Sequence, residues 1–317
     1  MSFSMEVKNE ICRDIEQINS EQALCIISAM MKIAGSINLL GLNKLSFSMT
    51  TENASIARFL FSLIKKFFNI HCEIIVKKSK TLKKNNKYVI RSKDSLDITD
   101  FLKKIYVFIE KDDSILITHK IPSILDNSID LRRYYIQGAF LGGGSLSNPE
   151  KAYHLEFVCE DEEFAEDLSR LINTFNINSK IITRKRNYVI YIKESEQIVD
   201  ILNIIRAHQA LLKLENIRII KEMRNNVNRI VNCETANLTK TVDSSIKHIE
   251  NIKLIKKEIG LNRIPKILID VAEVRLKYPD ESLKEIGDRL IPSLGKSGVN
   301  HRLRKIDKIA EEIRKNK

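Results

Sequence analysis

The stretch LRRYYIQGAFLGGGS, residues 131–145, decides how the first two thirds of the chain are read. Leu131, Tyr135, Ala139 and Leu141 place apolar side chains along a helix that closes on Gly142, Gly143 and Gly144. Gly138 and Gly142 stand four apart and share a helical face. A glycine inside a helix costs about 1 kcal/mol relative to alanine, so a helix that keeps two is expected to meet another backbone closely there. The last glycines tolerate positive φ and are expected to release the chain into a turn. A phosphate cradle is the rival reading, and it fails on order. A P-loop carries a lysine after its glycines and a dinucleotide fingerprint carries a strand before them. Here a helix comes first and no lysine follows Gly144.

Working outward from this helix, the same order of elements occurs twice. In the first copy a helix over residues 21–35 ends on Gly35-Ser36. A strand over 44–49, a helix over 53–68, strands over 71–76 and 88–91, and a helix over 98–108 follow. After Gly144-Ser145 come a strand over 154–158, a helix over 161–175, strands over 180–183 and 188–192, and a helix over 195–207. The triplets Phe68-Asn69-Ile70 and Phe175-Asn176-Ile177 fall at matching places. Such matching implies an internal duplication whose period is too long for a solenoid and suits a pseudo-symmetric pair of lobes. The two glycine-ended helices are where the lobes are expected to meet, through Ala29, Gly35, Gly138, Gly142 and Gly143.

At 317 residues the chain is long enough for two or three domains. No run approaches 18 apolar residues, which argues against a membrane span, and the first residues lack an apolar signal core, so a cytoplasmic location is expected. The five cysteines are scattered without a CxxC pair, which favours reduced thiols over disulfides or zinc. His71 beside Cys72 reads as a strand pair, and neither metal nor cofactor is expected. With 53 Lys and Arg against 41 Asp and Glu, the net charge of +12 favours a polyanionic partner.

From residue 208 onward the pattern is helical and polar. A long helix is expected over 209–233, a connecting segment over 234–241, and a further helix over 241–259 with Val242, Ile246, Ile249 and Ile252 inward. Ser282 and Glu285 have capping-box spacing at the start of a short helix. After the turn IPSLGK, a helix begins at Ser297 with Val299, Leu303, Ile306, Ala310 and Ile313 on one face. Short helix, turn and basic helix is the layout of a helix-turn-helix, whose second helix reads base edges from its N-terminal end. Lys296, Ser297, Asn300, His301, Arg302, Arg304, Lys305 and Lys308 are the candidate DNA contacts. Asn300 and Arg302 are of the types that pair with adenine and guanine edges. Residues 251–317 hold 17 basic and 10 acidic side chains, a net +7. In the lobes, Lys77, Lys78, Lys83 and Lys84 in one repeat and Arg184 and Arg186 in the other are candidate phosphate contacts on sheet hairpins.

The duplicated layout with glycine-ended central helices resembles the LAGLIDADG homing-endonuclease fold. GAFLGGGSL at 138–146, PEKAYHLEF at 149–157, NCETANLTKTVD at 232–243 and KSGVNHRLRKI at 296–306 resemble the bacterial WhiA family (DUF199) more closely. That resemblance implies an α+β protein: a pseudo-symmetric duplicated LAGLIDADG-like domain with a separate all-α helix-turn-helix domain. The expected bounds are 1–125 and 126–220 for the lobes, 221–240 for a linker and 241–317 for the helix-turn-helix domain, with its motif at about 281–314. The resemblance implies a double-stranded DNA-binding protein of cell division and chromosome segregation, a transcriptional regulator of sporulation in some lineages. In LAGLIDADG nucleases the final acid of each motif binds a divalent metal. Alignment on the terminal Gly-Ser puts Ala34 and Gly143 there, and neither can ligate, so no catalysis is expected. Two other readings stay open. One is a nuclease using Glu160, Asp161 and Glu162, a run better explained as an acidic first helical turn. The other is a protein-interaction module, with regulatory or division proteins as partners, whose tail alone touches DNA. A monomer is the expectation.

Overall fold

The computed structural model describes residues 2–39, 45–78, 86–93, 97–111 and 114–316. It divides into two compact units, 1–221 and 222–317.

The first unit opens with helix α1 (Phe3–Ile11), capped by the Ser2 hydroxyl, which accepts from the Met5 amide. Helix α2 (Ser20–Ala34) starts on a capping box in which Asn19 and Gln22 exchange side-chain and backbone bonds. It runs without a loop into strand β1 (Gly35–Leu39). Then follow β2 (Leu45–Thr51), α3 (Ala54–Phe68), β3 (Cys72–Lys78), β4 (Asn86–Ser92) and α4 (Asp97–Lys104). A small hairpin, β5 (Phe108–Lys111) and β6 (Ser114–Ile117), separates this lobe from the next. The second lobe has α5 (Ile129–Gly143), β7 (Gly144–Leu146), β8 (Leu155–Cys159), α6 (Glu162–Asn173), β9 (Lys180–Arg184), β10 (Asn187–Ile192) and α7 (Ser195–Ile204).

The two lobes repeat each other down to single residues. Their antiparallel sheets have the orders β1-β2-β4-β3 and β7-β8-β10-β9. Asn69 and Asn176 both follow their helices with φ near +53° and +61°, the left-handed conformation asparagine tolerates. Tyr106 and Arg206 share a second such ending. Val107 and Ala207 donate to the carbonyls of Leu102 and Leu202, while Tyr106 and Arg206 donate to Lys103 and Asn203. That is a Schellman pattern built twice without glycine. One apolar core runs through both lobes, from Ile26, Phe47 and Phe59 to Phe140, Phe157 and Phe164.

The glycine-rich helix ends differ from expectation. Gly35 and Gly144 are extended, with φ of −93° and −74°, and lead straight into β1 and β7; after Gly144 a turn was expected. The helix expected over 98–108 ends at Lys104, and Phe108 instead opens β5.

Residues 208–258 form one helix, α8 (His208–Glu258). The connection expected over 234–241 and the segment 221–240 read as a linker are therefore helical. No glycine or proline interrupts them, so only composition pointed to a break. In the first unit, the Glu10 carboxylate accepts from the Gln209 and Ala210 amides at 2.6 and 3.0 Å, which satisfies donors of the first turn of α8.

The second unit comprises the last part of α8 with α9 (Lys266–Lys277), α10 (Leu283–Asp288) and α11 (Lys296–Lys315). Its core joins Ile252 and Ile255 of α8, Leu268 and Val271 of α9, Ile286 of α10, and Val299, Leu303, Ile306 and Ala310 of α11. Val242 and Ile246, expected inward, are about half exposed at 47% and 50%. Buried in their place are polar residues of the same helix, Ser245, His248 and Asn251, each with a polar partner. Hydropathy overlooks positions that are buried because they are hydrogen-bonded.

Candidate nucleic-acid interface

The central helix pair sets the geometry of the lobes. A Cβ built on Gly138 would lie 2.4 Å from the Ile26 carbonyl oxygen and 2.8 Å from its Cα, so the backbones of α5 and α2 touch there. At Gly142 the neighbours are Ile33 and the Met30 Cα, at 3.3 and 3.4 Å. Ala29 is fully buried. Gly35 is different: the nearest atoms to its Cβ position belong to Met31 of its own helix, because β1 turns off the helix end at that point.

Ala34 and Gly143, the positions that the LAGLIDADG resemblance assigns to metal-binding acids, carry no side chain able to ligate. A Cβ at Gly143 would sit 2.6 Å from both the Val158 carbonyl oxygen and Ile33 Cγ2. A carboxylate does not fit there without moving a strand backbone. Among the described residues, no group of three or more His, Cys, Asp or Glu is placed to hold a metal ion. The residues present do not suit the metal that the fold's nucleases use. Asp161 instead caps α6, accepting from the Phe164 amide at 2.8 Å, and Glu162 accepts from the Tyr188 hydroxyl.

Cations gather at the hairpin ends of the sheets. Lys77 of β3 and Lys87 of β4 are cross-strand partners, both exposed, with Lys78 beside them. Like charges placed opposite one another repel, and a bound anion relieves this. Lys83 and Lys84 lie outside the described residues. In the second lobe, Lys185 and Arg186 form a two-residue turn between β9 and β10, so that Arg184, Lys185 and Arg186 are exposed in a row. Lys185 has φ of +61°, where glycine or asparagine is the favoured residue.

In the second unit the loop before α10 is tightly held. Arg275, 1% exposed, donates from Nη1 to the carbonyls of Pro279 and Glu281 at 3.3 and 2.6 Å. Arg289 pairs with Glu281 and stacks over the Tyr278 ring at 3.9 Å. Both bonds of the Ser282–Glu285 capping box are made, and they lower the Glu285 carboxyl below its ordinary value. The connection between α10 and α11, longer than the usual helix-turn-helix turn, folds back on α10. Leu294 donates to the Gly287 carbonyl at 3.0 Å, and a Cβ on Gly287 would lie 1.9 Å from the Leu294 oxygen. Gly287 was not singled out in sequence; a glycine inside a six-residue helix was its only signal.

This frame presents α11. Ser297, His301, Arg304 and Lys308 recur at three- and four-residue steps on its exposed side, with Lys305 beside them and Lys296 at its start. Asn300 and Arg302 are half-buried on its flanks. Arg302 donates to the Ile267 carbonyl at 3.3 Å, so its side chain lies along α9 rather than on the exposed stripe. The far end of α11 is fixed to α8, where buried Asn251 donates to Asp307 and accepts from Arg314, both at 2.7 Å.

Comparison with known proteins agrees with this arrangement. Residues 20–108 match the WhiA N-terminal LAGLIDADG-like domain, 132–224 the WhiA LAGLIDADG-like domain, and 227–310 the WhiA C-terminal HTH domain. The chain belongs to the WhiA family. It is 56% identical over 315 residues to the probable cell division protein WhiA of Clostridium acetobutylicum, covering 99% of both chains. It has the same identity over 317 residues to the Clostridium beijerinckii WhiA protein, covering both chains fully. The crystal structure of full-length DUF199/WhiA from Thermatoga maritima is 28% identical, with a TM-score of 0.60, and the match covers 98% of this chain and 99% of that one. A crystal structure of the N-terminal LAGLIDADG domain of DUF199/WhiA matches 64% of this chain and 90% of its own at 25% identity, with a TM-score of 0.50. The architecture is thus that of WhiA proteins: duplicated LAGLIDADG-like lobes and a helical HTH domain. No helix among the described residues is long and apolar enough to cross a membrane.

Proposed function

We propose that this WhiA-family protein is a non-enzymatic, sequence-specific DNA-binding regulator acting in cell division and chromosome segregation. Transcriptional control at the nucleoid is its mode of action. The observation that carries this reading is the exposed stripe of α11, where Ser297, His301, Arg304 and Lys308 stand on a helix fixed by its core and by Asn251. Residues at the N-terminal end of that stripe read base edges, and the basic ones further along hold phosphates. Half-buried Arg302, tied to Ile267, positions the helix rather than reading bases. The hairpin cations Lys77, Lys87, Arg184, Lys185 and Arg186 add sequence-independent phosphate contacts. The names of the relatives support the link to cell division.

The absence of activity rests on Ala34 and Gly143, and supercoiled plasmid incubated with the protein and Mg²⁺ tests it. Plasmid that stays supercoiled is expected; nicking that copurifies and scales with protein concentration would contradict it. A genome-wide footprint supplies a bound site, and anisotropy on that site and a scrambled duplex measures discrimination. Equal affinity for both would remove sequence-specific binding.

One observation favours a second role for the first lobe. Ile37, Leu39, Leu45, Thr99, Phe108, Ile115 and Ile117 line a mainly apolar groove of about 610 Å³, and Leu39 is 82% exposed. Such a surface suits a protein partner better than DNA.

A further inference from the structure

A cavity of about 230 Å³ lies within the second unit, lined by Lys240, Thr241, Ser244 and His248 of α8, Arg275 of α9, Ser282 and Leu283 at the start of α10, and Lys296 of α11. Three cations and three hydroxyls line it, and no carboxylate does. Three nearby carboxylates have partners of their own, two of them on lining residues. Glu281 pairs with Arg289, Glu285 closes the capping box, and Asp307 accepts from Asn251 and faces His248 Nε2 at 3.6 Å.

Two of the lining side chains are more than nine-tenths buried and incompletely satisfied. Arg275 Nε and His248 Nδ1 have no partner within the protein. A guanidinium N–H is a donor only, and Arg275 keeps this one unpaired in the wall of the cavity at a cost of about 1–3 kcal/mol or more. The volume holds several waters at about 30 Å³ each, enough for a small tetrahedral oxyanion with solvent.

We propose that this cavity is a phosphate-binding site. Lys240 and Lys296 supply charge at its mouth, Ser244 supplies a hydroxyl donor, and the Arg275 guanidinium adds charge in its wall. Phosphate chemistry of this kind has two sources, a backbone phosphate of DNA lying along α11 or a free phosphate. The first source rests on the DNA-binding reading above; the second does not.

The test uses the full chain and inorganic phosphate, titrated by calorimetry at constant ionic strength and repeated with saturating duplex. The cavity variant is K240Q with S244D, both at exposed positions; Arg275 is left in place because it ties the 279–281 loop. K253Q with K257Q, exposed positions of the same helix outside the cavity, is the charge-matched control. One saturable phosphate per chain is expected, weakened about tenfold or more by the cavity variant and unchanged in the control. Phosphate displaced by duplex assigns the cavity to a DNA phosphate, and phosphate retained beside duplex assigns it to a free ligand. Loss of duplex affinity in the cavity variant beyond the control supports the DNA source even if free phosphate is too weak to detect. If the wild-type chain shows no saturable phosphate and the two variants have the same duplex affinity, the site does not exist. Phosphate binding by a chain that ignores all duplexes would keep the site and sink only the DNA reading.

Discussion

Gly138 is the residue on which the lobes turn. Alanine at an ordinary helix interior gains about 1 kcal/mol over glycine, so Gly138→Ala would stabilise a solvated helix. Here its Cβ would meet the Ile26 carbonyl at 2.4 Å, and the sign reverses. A loss of about 1–3 kcal/mol in the first unit is expected, read as a lower urea midpoint; a midpoint that stays or rises would mean that the helices do not touch at Gly138. Gly287→Ala meets the same obstacle in the second unit, where the Leu294 oxygen is closer still at 1.9 Å. The expected result is loss of the helix-turn-helix fold with the first unit intact, visible as one missing unfolding transition. Gly138 was readable as a close-packing position from its spacing to Gly142. Gly287 was not, because its partner is a loop backbone that no periodicity announces. The same holds for Lys185, whose positive φ emerges only from the hairpin geometry. Glycine there should stabilise the turn by roughly 1 kcal/mol while weakening DNA binding, a pairing of effects that thermal melts and anisotropy check together.

At the scale of elements, α11 carries the functional reading. Its inward stripe was legible because Val299, Leu303, Ile306 and Ala310 keep the helical period, and all four are buried. The outward residues were harder to sort. Asn300 and Arg302 stand near the N-terminal end, but Arg302 lies on a flank where the Ile267 carbonyl of α9 accepts from it. Arg304→Ala is therefore expected to lower the ratio of specific to random-sequence affinity by the equivalent of about 1–3 kcal/mol. Arg302→Ala should leave that ratio nearly intact and lower the stability of the second unit. The reverse pattern in anisotropy and denaturation would put Arg302 on the groove. Elsewhere, helix α8 shows where pattern reading stops. A polar helix without caps leaves no hydropathic trace of its continuity, and its buried Ser245, His248 and Asn251 face polar partners that only the folded chain supplies. Strands β1 and β7 were missed because glycine is a poor strand former. The β2 and β8 partners of those strands, apolar on alternate residues, were read correctly.

At the scale of the whole molecule, charge governs both stability and binding. Burial lowers the Lys8 and Lys32 ammonium groups to about 8, while Lys8 Nζ donates to the Leu141 carbonyl and Lys32 Nζ to that of Lys120. Between pH 8 and the ordinary lysine value of 10.5, the unfolded chain holds protons that the folded one has shed. The stability of the first unit should therefore rise with pH from 8 to 9, by at most about 1.4 kcal/mol per lysine per pH unit. Burial raises the thiols of Cys12, Cys25, Cys72 and Cys159 to about 12, so above pH 9 the unfolded chain loses those protons first and stability falls again. Urea titrations from pH 7 to 10.5 should thus give a maximum near pH 9, and a monotonic curve would contradict the buried lysines. For binding, we assign sequence readout to α11 and phosphate contact to the hairpins. The most direct measurement is the salt dependence of affinity on a bound site and on a scrambled duplex, for the wild-type chain and for Arg184, Lys185 and Arg186 all changed to Gln. Each lost phosphate contact flattens the log–log slope by about 0.9, so the triple variant should flatten both slopes by up to about 2.7 and leave the ratio of the two affinities unchanged. Slopes identical to wild type on both duplexes would show that the lobes do not touch DNA there.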